Sequence, residues 1–237
     1  MEELIRTGLK ELGLAQRVPA ESAGLLARYG RALMEKNRVM NLTAITQPRD
    51  VATLHMLDCA ALLGCAELAG RTLVDVGTGA GFPGVPLKAL VPSLDVTLLD
   101  SLDKRVEWLK ETCKALGLDS IRALHVRAEE AGREDAFRER FDFAMARAVA
   151  ELRVLCELCL PFVKVGGRFL AMKGVDCGGE LESARGALSA LGGRVERCYD
   201  YAIPHTDVVH RVIVVEKIAP TPFQYPRRWA KIQKSPL

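Results

Sequence analysis

The stretch from Leu73 to Gly84 reads L-V-D-V-G-T-G-A-G-F-P-G, an apolar run with an acid, Asp75, near its end and four glycines, Gly77, Gly79, Gly81 and Gly84, behind it. Glycines at this spacing let backbone come against a ligand where a Cβ would collide. The helix-like segment that follows aims its unpaired amides at the same place. The chemistry this implies is that of a nucleotide-type pocket, with Phe82 and Pro83 adding an apolar surface to the turn.

Two parses overlap in this loop. Gly79, Gly81 and Gly84 satisfy G-x-G-x-x-G, the fingerprint of dinucleotide enzymes. Asp75 followed by G-x-G-x-G at Gly77, Gly79 and Gly81 is instead the pattern associated with S-adenosylmethionine (SAM) methyltransferases. The loop alone does not choose, so the elements that hold it must.

From Thr72 onward the chain alternates short strands with helices. Strands are predicted at 72–76, 95–99, 121–126, 141–145 and 167–172, and helices near 84–91, 102–116, 130–139, 150–163 and 179–191. Five such units imply a parallel, doubly wound sheet. Two further runs, 194–203 and 208–217, are joined only by P-H-T-D and must pair antiparallel, because a parallel crossover needs about a dozen residues. A parallel sheet closed by such a hairpin resembles the seven-stranded SAM methyltransferase sheet. Residues 1–70 read as helical, with apolar positions near the 3.6-residue period around Leu4 to Leu12 and Leu25 to Met34, a loop at Asn41 to Thr43 and a third helix at 48–63. The division predicted is a helical cap over 1–70, a catalytic-type α/β domain over 71–217 and a tail over 218–237.

In a doubly wound sheet the ligand sits beyond the C-terminal strand ends. There the chain places Asp100, then Ser101 and Leu102, about 20 residues beyond the glycine turn, where an acid accepts from both ribose hydroxyls. Ala128 and Glu129 follow the third strand, and a backbone amide with a carboxylate there suits an adenine edge. Arg147 follows the fourth strand among apolar residues and is predicted to meet a carboxylate or to close the pocket. Lys173 and Gly174 follow the fifth, where the lysine faces a phosphate or caps the sheet.

The formal net charge is +3, but residues 217–237 carry +5 without an acid, leaving −2 for the rest. This tail interleaves Phe223, Tyr225 and Trp229 with Arg227, Arg228, Lys231 and Lys234, a mixture suited to phosphates and base stacking. With 49% hydrophobic and 27% charged residues, no apolar run long enough for a membrane span and an acidic start (M-E-E-L-I-R), the protein is expected in the cytoplasm. Seven scattered cysteines read as reduced thiols, and Cys156-x-x-Cys159, within a leucine-rich helix and without a second pair, reads as core rather than a metal or redox site. The four histidines show no ligand spacing, so no metal is expected.

Assembled in order, these blocks resemble the small-subunit ribosomal RNA guanine-N7 methyltransferase family, known as RsmG or GidB. The blocks are N-L-T-A-I at 41–45, H-x-x-D at 55–58, D-V-G-T-G-A-G-F-P-G-V-P-L at 75–87, L-L-D-S-L-x-K-R at 98–105, R-A-E-E at 127–130, A-R-A-V-A at 146–150, K-G at 173–174, and Y-P-R-R with a terminal K-S-P-L. The resemblance implies a class I SAM-dependent, Rossmann-like α/β fold with an N-terminal helical extension. It implies SAM contacts at Gly77, Phe82, Asp100, Ser101, Leu102, Ala128, Glu129 and Arg147, with Gly79 and Gly81 in the same turn. The substrate implied is a guanine in the 530 loop of 16S rRNA, in the 30S subunit or an assembly intermediate, with S-adenosylhomocysteine (SAH) as product. Candidate RNA contacts are Asn41, His55, Asp58, Lys173, Arg227, Arg228, Lys231 and Lys234. Lys36 stands where the family usually has tryptophan, Cys59 where it has serine, and Trp229-Ala230 where the tail often contains glycine.

Guanine N7 presents a free lone pair, so no catalytic acid or base is named. Two other readings stand beside this one: an NAD-dependent oxidoreductase, and a ribosome-binding protein that holds SAM without turnover.

Overall fold

Seven runs of alternating or continuous apolar residues form one seven-stranded sheet in the computed structural model, which describes residues 1–147 and 149–237. Ala148, in the A-R-A-V-A block, lies outside the described residues. The strands are β1 (Thr72–Val76), β2 (Asp95–Asp100), β3 (Ile121–His125), β4 (Phe141–Arg147), β5 (Val163–Gly174), β6 (Gly193–Ala202) and β7 (Val209–Lys217). Their order is β3-β2-β1-β4-β5-β7-β6. The first five pair parallel, and β7 runs antiparallel between β5 and β6, as the short P-H-T-D link requires. Neighbours of β1 lead away in both directions, so strand order reverses between β1 and β4 and opens a cleft at their C-terminal ends.

Period-2 alternation divides the core between the two faces. From β7, Val212 and Val214 enter one apolar layer while Ile213 and Val215 enter the other. Phe143 and Met145 of β4 enter the first layer, and Ala144 and Ala146 the second. The first face is covered by α1 (Glu2–Glu11), α2 (Ser22–Met40), the helical run 48–64, α5 (Gly84–Leu90) and α6 (Asp103–Ala115). The run 48–64 is built from α3 (Pro48–Asp50), a π-helical stretch Val51–Leu57, α4 (Asp58–Ala60) and a closing 3₁₀ turn, Ala61–Gly64. The N-terminal helices share one continuous apolar layer with the sheet, from Ile5 and Leu26 to Val96 and Val214.

The second face carries α7 (Ala128–Ala131), α8 (Leu152–Cys159), α9 (Gly178–Ser183), α10 (Arg185–Leu191) and, after the hairpin, α11 (Trp229–Lys234). Three predicted helices are corrected. The one placed at 130–139 is only α7, because Gly132 caps it and the residues beyond bind the tail: Arg138 donates to the carbonyls of Tyr225 and Thr221, and Arg133 to that of Pro226. The helix at 150–163 stops at Cys159 and tightens to a 3₁₀ turn over Leu160–Phe162, since Pro161 cannot continue an α-helical ladder. The helix at 179–191 is two, parted at Ala184.

Candidate functional site

The glycine turn is held from beneath by Asp75, which is fully buried. Its Oδ2 accepts from the Thr78 hydroxyl at 2.6 Å and from the Gly84 amide, at the start of α5, at 2.9 Å. Both ends of the turn are thereby tied to one carboxylate. Gly77, Gly79 and Gly81 all have positive φ (68°, 59° and 85°), the region that favours glycine. A Cβ on Gly81 would fall 2.5 Å from the Tyr29 hydroxyl, which itself donates to the Ala80 carbonyl from α2. Gly84 is a packing glycine: a Cβ there would lie 2.9 Å from Asp75 Oδ2. Burial pushes the Asp75 carboxyl up to about 6, against the Thr78 and Gly84 hydrogen bonds. Its Oδ1 is buried without a partner among the described residues.

A cleft of about 230 Å³ opens beside this turn, at the switch point. Gly77, Asp100, Ser101, Ala128 and Glu129 come together in its wall. Gly79, Gly81, Phe82, Leu102 and Arg147, also predicted for the cofactor, are not among its lining residues. Residues not foreseen there also line it, among them Arg127, Val149 and Trp229. Asp100 is 5% exposed; Oδ2 accepts from the Gly79 amide at 2.8 Å and Oδ1 from the Leu102 amide at 2.9 Å. A carboxylate has about four acceptor positions, so each oxygen keeps one for a ligand. Glu129, 7% exposed, accepts from Arg127 Nε at 2.5 Å. Asp75 thus lies beneath the turn, and the buried carboxylates Asp100 and Glu129 stand in the cleft wall.

Behind Phe82 lies a second, buried cluster. The His55 ring stacks on Phe82 with centroids 4.3 Å apart, and the Arg147 guanidinium stands 4.7 Å over the same ring. Arg147 donates to Asp58 Oδ2 at 3.0 Å and to His55 Nδ1 at 2.9 Å, so the carboxylate partner predicted for it is Asp58. Asp58, 1% exposed, also accepts from the Tyr201 hydroxyl at 2.7 Å and His210 Nδ1 at 2.8 Å. Burial drives the Asp58 carboxyl up, but the His210 hydrogen bond and the Arg147 charge outweigh it and hold it below the usual carboxylate range. His55 is lowered to about 3, by burial first and the Arg147 charge second. The neutral ring accepts from Arg147 at Nδ1 and so donates from Nε2 to the Thr43 hydroxyl, 2.9 Å away. Asn37 in turn receives the Leu42 and Thr43 amides. The N-L-T, H-x-x-D and A-R blocks therefore meet in one network.

His55 and Asp58, predicted to contact RNA, are enclosed in this network at 6% and 1% exposure. Asn41 ends α2 in the left-handed conformation at φ 48°. Tyr201 and His210 were not anticipated, because the hairpin carried no signal beyond alternation. Lys173 donates to the Ala150 carbonyl and pairs with Glu180, both at 2.7 Å. Arg227 is held bidentately by the buried Glu157 at 2.6–3.1 Å, whereas Arg228, Lys231 and Lys234 are exposed with no ion-pair partner among the described residues. Cys156 and Cys159 are buried in the second apolar layer, and burial pushes the Cys156 thiol up to about 12. No helix among the described residues is long and apolar enough to cross a membrane.

Comparison with known proteins agrees with this geometry. The family model described as rRNA small subunit methyltransferase G (GidB) matches residues 23–206. The chain is 45% identical over 235 residues to the ribosomal RNA small subunit methyltransferase G of Alkaliphilus metalliredigens, covering 99% of this chain and 98% of that one. It is also 45% identical to the protein of that name from Symbiobacterium thermophilum, over the whole of both chains. Among solved structures, TrmN from Thermus thermophilus superposes with a TM-score of 0.52 at 24% identity, over 68% of this chain and 48% of that one. TYW2 of M. jannaschii in complex with AdoMet gives 0.53 at 15%, over 68% and 75%. These two likenesses establish the fold, a class I SAM methyltransferase sheet; the sequence relatives establish more, and the chain belongs to the rRNA small subunit methyltransferase G (GidB) family.

Proposed function

We propose that this protein uses SAM to methylate N7 of a guanine in the 530 loop of 16S rRNA, in the 30S subunit or an assembly intermediate, leaving SAH. The observation that carries the cofactor reading is the acidity of the cleft. Asp100 and Glu129 set two carboxylates in its wall against one guanidinium, Arg127, and this acidic balance suits a cationic sulfonium and ammonium group and opposes the pyrophosphate of a dinucleotide. The residues present fit SAM on that ground, and the NAD reading is disfavoured on the same one.

When bound, SAM supplies a methyl group made electrophilic by its positive sulfur. The chain's part is to bind and align. Asp100 offers one acceptor position on each oxygen to a pair of ribose hydroxyls, held rigid by the Gly79 and Leu102 amides. The Ala128 amide and the Glu129 carboxylate offer a donor and an acceptor to an adenine edge. Gly77 admits a ligand against bare backbone; a Cβ there would already stand 2.9 Å from Val149. Phe82, backed on one side by His55 and Arg147, is a fixed apolar surface beside the turn. The N7 lone pair attacks without a general base, so the rate comes from alignment and exclusion of water. In a continuous A-form helix N7 lies in a deep, narrow groove, so the target guanine must be unpaired or turned outward. Arg228, Lys231 and Lys234 supply charge for the RNA backbone.

The test is methyl transfer from labelled SAM to 30S subunits lacking the modification, with the modified nucleotide mapped. Label at one guanine N7 in the 530 loop is the expected result. SAM binding without transfer would favour the non-catalytic reading, and label at another nucleotide would overturn the proposed target.

A further inference from the structure

The tail reaches back to the cleft. After β7 the chain is fastened at successive points: buried Lys217 donates to the Leu160 carbonyl and the Thr221 hydroxyl, Arg138 to the Thr221 carbonyl, and Glu157 receives the Arg227 amide and guanidinium. α11 is then pinned through the fully buried Ile232 against the apolar layer of α8. This fixes Trp229, the first residue of α11, half-buried, with its side chain lining the same cleft as Asp100 and Glu129. Arg127 stands 5.7 Å from the indole centroid while also pairing with Glu129. A base-edge carboxylate, its arginine and a tail tryptophan thus form one contiguous wall.

We propose that Trp229 is a cofactor-binding residue, an aromatic wall for the nucleoside of SAM and SAH, so that the basic tail that meets RNA also completes the cofactor pocket. The proposal rests on the SAM reading above. A large flat indole in a cleft whose other apolar lining is aliphatic, from Val76, Leu99, Val126, Val149 and Leu158, supplies the flat aromatic contact that a purine face stacks on. It also places the exposed Arg228, Lys231 and Lys234 on the same short segment as a pocket wall.

The chain contains two tryptophans, and Trp108 is buried at 5% exposure on the other face of the sheet, so Trp108→Phe leaves Trp229 as the sole indole reporter. Titrating that variant with SAH should change its fluorescence with the same midpoint that calorimetry gives. Trp229→Ala should weaken SAH binding about tenfold, equivalent to about 1.4 kcal/mol, while Trp229→Phe should stay within about threefold of the parent. Fluorescence that does not respond, or a Trp229→Ala protein that binds SAH as the parent does, overturns the proposal and leaves the SAM reading standing. A parent protein that fails to bind SAH by calorimetry overturns both. Should Trp229→Ala not fold, the fluorescence titration and Trp229→Phe decide alone.

Discussion

Asp100 illustrates how little freedom a ligand-binding carboxylate has here. Each oxygen already accepts one backbone amide, and Arg105 stands 3.7 Å from Oδ2, so its orientation is set before any ligand arrives while one acceptor position on each oxygen is left over. Asp100→Ala should therefore weaken SAM binding by at least tenfold, the scale of losing hydrogen bonds to a charged group. RNA affinity should be nearly unchanged, because no residue proposed to touch RNA depends on this side chain. Parallel calorimetry and filter binding check this, and equal loss of both would sink the role assigned. Asp58 differs in kind. It is the common acceptor for Arg147, His210 and Tyr201, and it is enclosed. Removing one partner of a buried charge pair strands the other, at about 3–5 kcal/mol. Asp58→Ala should accordingly lower the stability read from urea unfolding by that amount, with Asp58→Asn losing less; a change below about 1 kcal/mol would show that the network carries no such weight.

At the level of elements, the tail separates two uses of arginine that look alike in sequence. Arg227 is bound into the fold by Glu157, and Arg228, one residue on, faces solvent with Lys231 and Lys234. Neutralising Arg228, Lys231 and Lys234 together should reduce RNA affinity and flatten the salt dependence of log K by about 2, three contacts at about 0.7 each for single strands. Arg227→Ala should instead lower thermal stability. An unchanged salt slope in the triple variant would put the RNA surface elsewhere. The strands, the hairpin and the glycine turn were legible because period 2, glycine spacing and a short link each have one geometric solution. The span 130–139 was not: its polar, arginine-rich composition suits a helix, but those arginines are used to hold the carbonyls of a segment over 80 residues away. The same holds for the site. Asp100 and Glu129 could be found from strand ends, whereas Tyr29 clamping Ala80, or His210 meeting Asp58, depends on packing between distant elements that local pattern does not encode.

Across the whole molecule, two buried groups titrate in opposition, and their sum is measurable. His55 has its folded pKa lowered to about 3 by burial and by Arg147, so between that value and about 6.5 the unfolded chain binds a proton that the folded chain does not. Its contribution to stability falls as pH falls through that window. Asp75 has its folded pKa raised to about 6 by burial, so between about 3.9 and that value the folded chain holds the extra proton. Its contribution rises as pH falls through that narrower window. Between about pH 4 and 6 the two slopes cancel, each being about 1.4 kcal/mol per pH unit for one proton. Asp75→Asn keeps a carbonyl oxygen for Thr78 and the Gly84 amide but removes the titration. Unfolding free energies of that variant should consequently fall more steeply on acidification than those of the parent, by about 1.4 kcal/mol per pH unit between pH 6 and 4. Above pH 6.5 the two curves should run parallel as far as these groups are concerned, because neither titrates there. Parallel curves across the acid range as well would mean that the Asp75 carboxyl titrates in the folded protein as it does in the unfolded chain, near about 3.9. The negative charge beneath the glycine turn would then persist down to about pH 4 instead of being lost at about 6.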